Sequence, residues 1–457
     1  MIRKSPRVYL IALLLAGCAA PQAGPAPLLV GIAETDLTPD RPYGLSGYYH
    51  ERKSTEVRDR LHAKALVFRQ GGESVALVEC DLCGIAPELT EEVRSRAASR
   101  SGIPAGHIVV AATHTHTGPA YEGDLRQWLK RRDPDAYPPR LIEAVAEAVV
   151  LAAASTAPLR LKTGTGTQET PVSFSRRFIM KDGNVQTWAN YRNPETVREA
   201  NPVDPEVAIL LVSDAERARA ALVNFALHLD TLGGTKWSAD FPHDLGLVLK
   251  SELGDGLLPI FANGCCGDIN HVDPRAEKRN PTEFIGTSLG ETARKALPAL
   301  RDVKPDLAVR RAVVRAPLQE VTAADLEWAR AFVEKEKSGQ KIVFLDQVKA
   351  HRLLKVDRLR RAAPHLDLEV HAIRLGPDAA IVTLPGEVFV ELGLAIKKAS
   401  SFKTTFVVEL ANTSETAYIP KREAYPLGGY EVANSTLAPG GGELLRDAAI
   451  RLLEALR

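Results

Sequence analysis

The chain has 457 residues, of which 45% are hydrophobic, 25% charged and 6% aromatic. Those are the proportions of a folded protein, not of a disordered, collagen-like or polytopic membrane chain. Lys plus Arg number 58 against 57 for Asp plus Glu, a net charge of +1, so no global field gathers nucleic acid and a DNA- or RNA-binding role is set aside.

The first residues read as an address. Arg3, Lys4 and Arg7 precede an apolar run over residues 8–16, which ends in Leu15-Ala16-Gly17-Cys18. The run is shorter than the roughly 20 residues a membrane-spanning helix needs. A basic start, a short apolar centre and small residues at its end describe an export signal over residues 1–17. Leu-Ala-Gly-Cys resembles the bacterial lipobox, which implies a lipidated Cys18 and a Pro/Ala/Gly tether over residues 18–27. The expected location is the periplasmic face of a bacterial outer membrane.

Strand-like and helix-like segments then alternate. Residues 65–69 and 75–80, joined by Gly71-Gly72-Glu73, read as a hairpin. Residues 87–101 read as a helix with Pro in its first turn, and residues 108–112 as a continuous apolar strand. The alanine-rich helix over 141–154 is apolar nearly all round and is expected to be buried. A second hairpin is expected from 207–212 and 221–226. Further strands are expected at 257–262, 368–375, 379–384 and 404–410, and helices at 284–297, 388–400 and 444–456. The charged stretch 322–361 reads as two amphipathic helices, with Thr322 and Asp325 as a capping box in which Asp replaces Glu or Gln. It is expected as a helical excursion over the sheet and is a candidate lid. No internal repeat is visible. The fold class is α/β (α+β), a mixed β-sheet core flanked by helices in a single large catalytic domain over 28–457.

Cys80 and Cys265 each follow an apolar run, which favours buried free thiols for Cys80, Cys83, Cys265 and Cys266. Cys80-Asp81-Leu82-Cys83 lacks the second pair of ligands that a structural zinc site needs.

The sharpest local feature is Thr113-His114-Thr115-His116-Thr117-Gly118-Pro119, directly after the strand 108–112. Residues i and i+2 of an extended chain share a face, so His114 and His116 are expected to point the same way. Ligand sites in open α/β sheets favour the carboxyl ends of strands. The pair is open to two readings, metal ligands or threonine-bonded structural histidines. His228 closes the strand 221–227 and reads equally as a hydrogen-bonded edge residue. Glu387, in Leu384-Pro385-Gly386-Glu387, reads as an acidic first-turn residue favoured by the helix dipole. No Gly-X-Ser-X-Gly elbow, His-Glu-X-X-His, phosphate-cradling loop or dinucleotide fingerprint appears.

Together these segments resemble the N-terminal catalytic domain of the neutral (neutral/alkaline non-lysosomal) ceramidase family. The resemblance runs from Gly31-Ile32-Ala33-Glu34-Thr35-Asp36-Leu37-Thr38-Pro39 almost to the C-terminus. Its most specific pieces are Thr-His-Thr-His-Thr-Gly-Pro, Ser238-Ala239-Asp240-Phe241-Pro242, Gly267-Asp268 and Leu384-Pro385-Gly386-Glu387. The stretch from Ala417-Tyr418 to Tyr430-Glu431 resembles the family's tyrosine-rich segment. The resemblance implies a zinc amidohydrolase with His114, His228, Glu387 and Tyr418 as ligands. It implies a proton-transfer or ligand-orienting role for His116, and places Arg176 and Tyr430 beside the scissile amide. Such a site lowers the pKa of a bound water from ~15.7 toward ~7. The water then attacks an amide carbonyl, Tyr430 or Arg176 helps hold the oxyanion, and a histidine protonates the leaving amine.

One departure matters. The family's Gly-Asp-X-Ser-Pro-Asn reads Gly267-Asp268-Ile269-Asn270-His271-Val272 here, so Asn270 stands in place of the catalytic serine. Its amide donates a hydrogen bond but is no nucleophile. Three readings follow: an amidohydrolase of ceramide or a related N-acyl lipid, a zinc hydrolase of a non-ceramide amide or ester, and a catalytically silent substrate-binding lipoprotein. The retained His114, His228 and Glu387 speak against the third. The expected partners are a small amide or lipid substrate and, through Cys18, the membrane.

Overall fold

The computed structural model describes residues 26–133 and 136–457. The expected export signal, Cys18 and all of the tether before residue 26 lie outside the described residues. Among the described residues no helix is long and apolar enough to cross a membrane.

Three mixed sheets carry the molecule. The first holds β1 (Leu29–Asp36), β2 (His62–Gln70), β3 (Glu73–Cys80) and β4 (Ile108–Ala112), in the order β4-β3-β2-β1 with the short Ala157–Pro158 strand beyond β1. The second holds β5 (Arg160–Thr167), β6 (Glu206–Ser213), β7 (Ala218–Phe225) and β8 (Leu258–Asn263), and the third β9 (Ala308–Pro317), β10 (His365–Gly376), β11 (Ala379–Thr383) and β12 (Thr404–Val408). Each sheet follows one plan. Three strands pair antiparallel in succession, and the fourth returns parallel to the third.

Helices α1 (Pro87–Ser101) and α2 (Tyr137–Ala154) cover the first sheet, α3 (Phe241–Leu253) and α4 (Thr282–Ala296) the second. The third packs against α6 (Phe344–Arg360), α7 (Val390–Ala399) and α8 (Gly441–Glu454), while α5 (Ala323–Lys337) lies outside α6. The parallel return is made through α1, α3 and α7, because parallel neighbours need a crossover long enough to hold a helix. α1 opens on Pro87 and stops at Gly102, whose φ of 72° suits a glycine helix end.

The inner faces of all three sheets meet in one central core, to which Leu77 and Val109, Leu222 and Ile260, and Ile381 and Phe406 contribute. The outer faces bury against the helices. All five residues of β4 are buried for that reason, and a strand covered on both sides reads as an unbroken apolar run. The fold is the expected mixed α/β class, built on three sheets where one was expected. The strand order recurs three times although no repeat is visible in the sequence. Its units share no period: the link from first to second strand runs from Asp36 to His62 in one unit, and from Pro317 to His365, through α5 and α6, in another.

The stretch 322–361 is the expected helix pair. Thr322 and Asp325 make both halves of the capping box, and Ala329, Phe332, Ala350 and Leu353 form a small core of the pair's own.

Candidate active site

The parallel fourth strands meet at their C-terminal ends. The Glu409 N–H, just past β12, donates to the carbonyl of Asn263 at the end of β8 (3.0 Å). The Asn263 amide donates to the carbonyl of Thr113, just past β4 (3.2 Å). The Ala112 N–H donates to Leu410 O (3.3 Å). Loops leaving three sheets are thereby drawn to one place, outside the carboxyl ends of the strands where α/β ligand sites form.

The Thr-His-Thr-His loop is pinned from below. Hydroxyls of Thr115 and Thr117 both donate to Ser238 O (2.7 and 2.8 Å), and the His116 N–H donates to Leu229 O (3.0 Å). His114 has φ +78°, so the pair is not extended. The expected common direction is met by another route: the left-handed turn at His114 and the folded loop bring Nε2 of His114 and His116 within 3.4 Å. Gly47 (φ +93°) is required beside His116, because a Cβ there would meet the imidazole at 2.4 Å.

Glu387 is not in the first turn of a helix. It belongs to a two-residue strand, Glu387–Val388, paired parallel with Tyr418–Ile419, so that Glu387 and Tyr418 are register partners. Gly386 makes this possible at φ +61°, where a Cβ would lie 2.0 Å from the Thr416 hydroxyl.

His114, His228 and Glu387 converge. The imidazole Nε2 atoms of His114 and His228 are 3.0 Å apart, and Glu387 Oε2 lies 3.4 Å from the first and 3.7 Å from the second. His114 Nδ1 donates to Cys83 O (2.6 Å), which turns its Nε2 inward, and Cys83 and Glu387 outweigh burial and hold its pKa well above the ordinary histidine value, so a metal there would displace a proton. Burial, with Arg176 and His114 beside it, holds His228 well below the ordinary histidine pKa and therefore neutral. Burial alone would raise the Glu387 carboxyl, but His114 and Arg176 outweigh it and hold the group ionised. Its buried Oε2 has no hydrogen-bond partner. The lone pair of the neutral His228, the Nε2 that His114 frees on losing its proton, and an unpartnered carboxylate oxygen are a donor set for a divalent cation. Tetrahedral zinc with ligand distances near 2.0–2.1 Å has donor–donor edges of about 3.3 Å, and the spacings found here bracket that value.

Tyr418 is buried with its ring 5.1 Å from the Arg176 guanidinium. Burial raises its hydroxyl well above the usual phenol pKa. Arg176 reaches His228 Nε2 (3.3 Å) and donates to Gly267 O (2.6 Å), while Glu431 grips both its Nε (2.8 Å) and Arg177 (2.6 Å). Tyr430 packs edge-on against Tyr418 with ring centroids 5.4 Å apart. Two cavities meet at this cluster. One, of about 470 Å³, is walled by Tyr48, Tyr49, Trp188, Phe344, Tyr430 and Asp230. The other, of about 370 Å³, lies on the Cys83 side.

Asn270 is brought to neither cavity. It is buried in a short bridge with Phe174, and its amide oxygen accepts the Val272 N–H (3.1 Å). Its bridge does sit beside the Phe174–Ser175 strand that leads into Arg176. The four described cysteines are free, as expected, but two of them flank the imidazoles: Cys83 Sγ lies 3.9 Å from His114 Nδ1, and Cys266 Sγ 3.5 Å from His228 Nδ1. Sequence reasoning gave no site role to either, nor to Asn263, Glu409, Asp230, Tyr48, Tyr49, Trp188 or Phe344. Cys266 lies just past the expected strand 257–262, which was the signal available, whereas Glu409 falls inside the expected strand 404–410, which in fact ends at Val408.

The sequence of residues 28–237 matches the model of the neutral/alkaline non-lysosomal ceramidase N-terminal domain. These residues belong to that family. The fold extends the likeness further. A neutral ceramidase from Pseudomonas aeruginosa superposes with a TM-score of 0.70 at 18% identity, over 94% of this chain and 74% of that one. A ceramidase described as complexed with C2 matches with the same TM-score and identity over 94% of this chain and 75% of its own. Residues 28–237 by sequence, and nearly the whole chain by fold, are similar to neutral ceramidases.

Proposed function

We propose that the chain is a zinc-dependent amidohydrolase that cleaves the N-acyl amide bond of ceramide or a related N-acyl lipid. One observation carries the reading: the buried, unpartnered Oε2 of Glu387 stands 3.4 and 3.7 Å from two imidazole nitrogens that face each other across 3.0 Å. Nothing in packing calls for such an arrangement, whereas His114, His228 and Glu387, with Tyr418 alongside, would hold a zinc ion. When bound, zinc supplies Lewis acidity and an acidified water. The chain's own groups do the rest. Arg176, 3.3 Å from His228 Nε2, and Tyr430, which lines both cavities, are placed to stabilise negative charge growing on the carbonyl oxygen. His116 lines both cavities and its buried Nδ1 is unpartnered, so it is placed to pass a proton to the departing amine. Tyr48, Tyr49, Trp188 and Phe344 offer an aromatic wall to an acyl chain. On this reading Cys18 carries a lipid anchor that keeps the enzyme at the periplasmic face of the outer membrane.

A second reading, a zinc hydrolase of a non-ceramide amide or ester, is favoured by Asn270. The residue in place of the family serine is turned toward Val272 and away from both cavities. Release of fatty acid from a fluorescent short-chain ceramide, lost on chelation and in His114→Ala, supports the first reading. No release by a zinc-loaded protein that cleaves other amides or esters supports the second. A gain of orders of magnitude on ceramide in Asn270→Ser also points to the second.

A further inference from the structure

Beneath the cluster lies a layer of three wholly buried polar side chains, Asn263, Cys266 and Glu409. Each touches the segment of a different candidate ligand. The Asn263 amide donates to Thr113 O (3.2 Å), one residue before His114, and to Cys266 Sγ (3.4 Å), while its Oδ1 accepts the Leu227 N–H (3.4 Å), one residue before His228. The Cys266 thiol donates to Glu409 Oε1 (3.1 Å) and presents its sulfur to His228 Nδ1 (3.5 Å). Glu409 Oε2 accepts the Val388 N–H (2.7 Å), one residue after Glu387. The layer closes on itself through the Glu409 N–H to Asn263 O (3.0 Å).

We infer that Asn263, Cys266 and Glu409 are positioning residues for a metal at His114, His228 and Glu387, tying three ligand-bearing segments from three sheets into one rigid frame. The inference rests on the zinc reading above and adds the groups that set the geometry of the site. The chemistry is specific at His228. With the thiol proton given to Glu409, the sulfur lone pairs accept the Nδ1–H of the imidazole, which fixes the tautomer with its Nε2 lone pair inward. An outer hydrogen bond to a ligating histidine orients the ring and raises its basicity, and loss of such a partner costs about 10–100-fold in metal affinity. A sulfur acceptor in this place is unusual, and it makes the contact separable from the packing around it, because serine keeps the donor and acceptor while alanine keeps neither.

The test is zinc affinity of the full chain, measured by competition with a chromophoric chelator, together with the visible absorption of the cobalt(II)-loaded protein. Cys266→Ala and Glu409→Gln are expected to lose about 10–100-fold in zinc affinity and to shift the cobalt bands. Cys266→Ser is expected to recover most of both. Wild-type affinity and an unshifted cobalt spectrum in Cys266→Ala overturn the inference, as does an equal loss in Cys266→Ala and Cys266→Ser, which would assign the effect to volume. Should Glu409→Gln fail to fold, the two Cys266 variants decide. A wild-type chain that binds no zinc removes the hydrolase reading itself, an outcome distinct from a zinc-binding chain indifferent to Cys266.

Discussion

Glu387 and Tyr418 are register partners in a two-residue parallel strand pair, although thirty residues and a helix separate them in the chain. Backbone hydrogen bonds from Glu387 to Ala417 O (2.9 Å) and from Phe389 to Ile419 O (3.1 Å) hold the pairing, so side-chain changes at either position should leave the local fold intact. Metal analysis is expected to return about one zinc per wild-type chain. Glu387→Gln should fall well below that while keeping its melting behaviour in chelator. An unaltered zinc content in Glu387→Gln would remove this carboxylate from the ligand set.

Glu431 is the only carboxylate bonded to both Arg176 and Arg177 among the described residues, and all three are buried. Glu431→Gln strands two buried cations on a neutral amide. Removing one partner of a buried ion pair costs about 3–5 kcal/mol, so a large drop in denaturation midpoint is expected, with turnover lowered in whatever fraction stays folded as Arg176 loses its grip. A midpoint within about 0.5 kcal/mol of wild type would contradict the account.

Asp268 offers a pH signature. Burial pushes its carboxyl up to about 7, against the pull of the Val390 N–H and of Arg177. In the unfolded chain it titrates near 3.8. Between those values the folded state holds a proton that the unfolded state has released, so stability declines as pH rises through this window and levels off above it. Asp268→Asn should abolish that part of the slope and leave the protein more stable than wild type at pH 8, by a few kcal/mol on the order of the shift. Parallel stability curves from pH 4.5 to 8 for the two proteins would refute it.

Phe344, at the start of α6, lies 5.4 Å from Tyr49, 6.1 Å from Trp188 and 5.8 Å from Tyr430 between ring centroids. If the wall it completes binds an acyl chain, Phe344→Ala should raise KM for long-chain substrates by about tenfold, or ~1.4 kcal/mol, and leave kcat nearly unchanged. The effect should shrink with acyl length; a uniform change across chain lengths would count against acyl binding there.

For the anchor, Cys18→Ala is expected to move the protein from the membrane fraction to the soluble periplasmic fraction. Unchanged partitioning would argue against acylation at that position.

Much of the fold is legible because its strands and helices announce themselves locally. The helix over residues 87–101 and the strand over 108–112 have the observed bounds, one set by a proline start and a glycine stop, the other by uninterrupted burial. The repeated strand order is not legible, since it resides in pairing between distant segments and in links of unequal length. The same holds at the site. His114, His228 and Glu387 stand out in the sequence at strand ends, but local pattern suggests an extended His-X-His where the chain makes a left-handed turn, and a helix-dipole acid where it makes a strand pair. Asn263, Cys266 and Glu409 carry no motif of their own. Their meaning depends on three strand termini meeting in space, which no window of sequence records.

The helix pair α5–α6 has its own small core and lines the two cavities with Phe344, Gln347 and Lys355. Such an arrangement behaves as an interchangeable cassette. A lineage, or a protein engineer, could exchange this pair for one of different length or polarity and redirect the chain to new substrates while the chemistry beneath is inherited untouched.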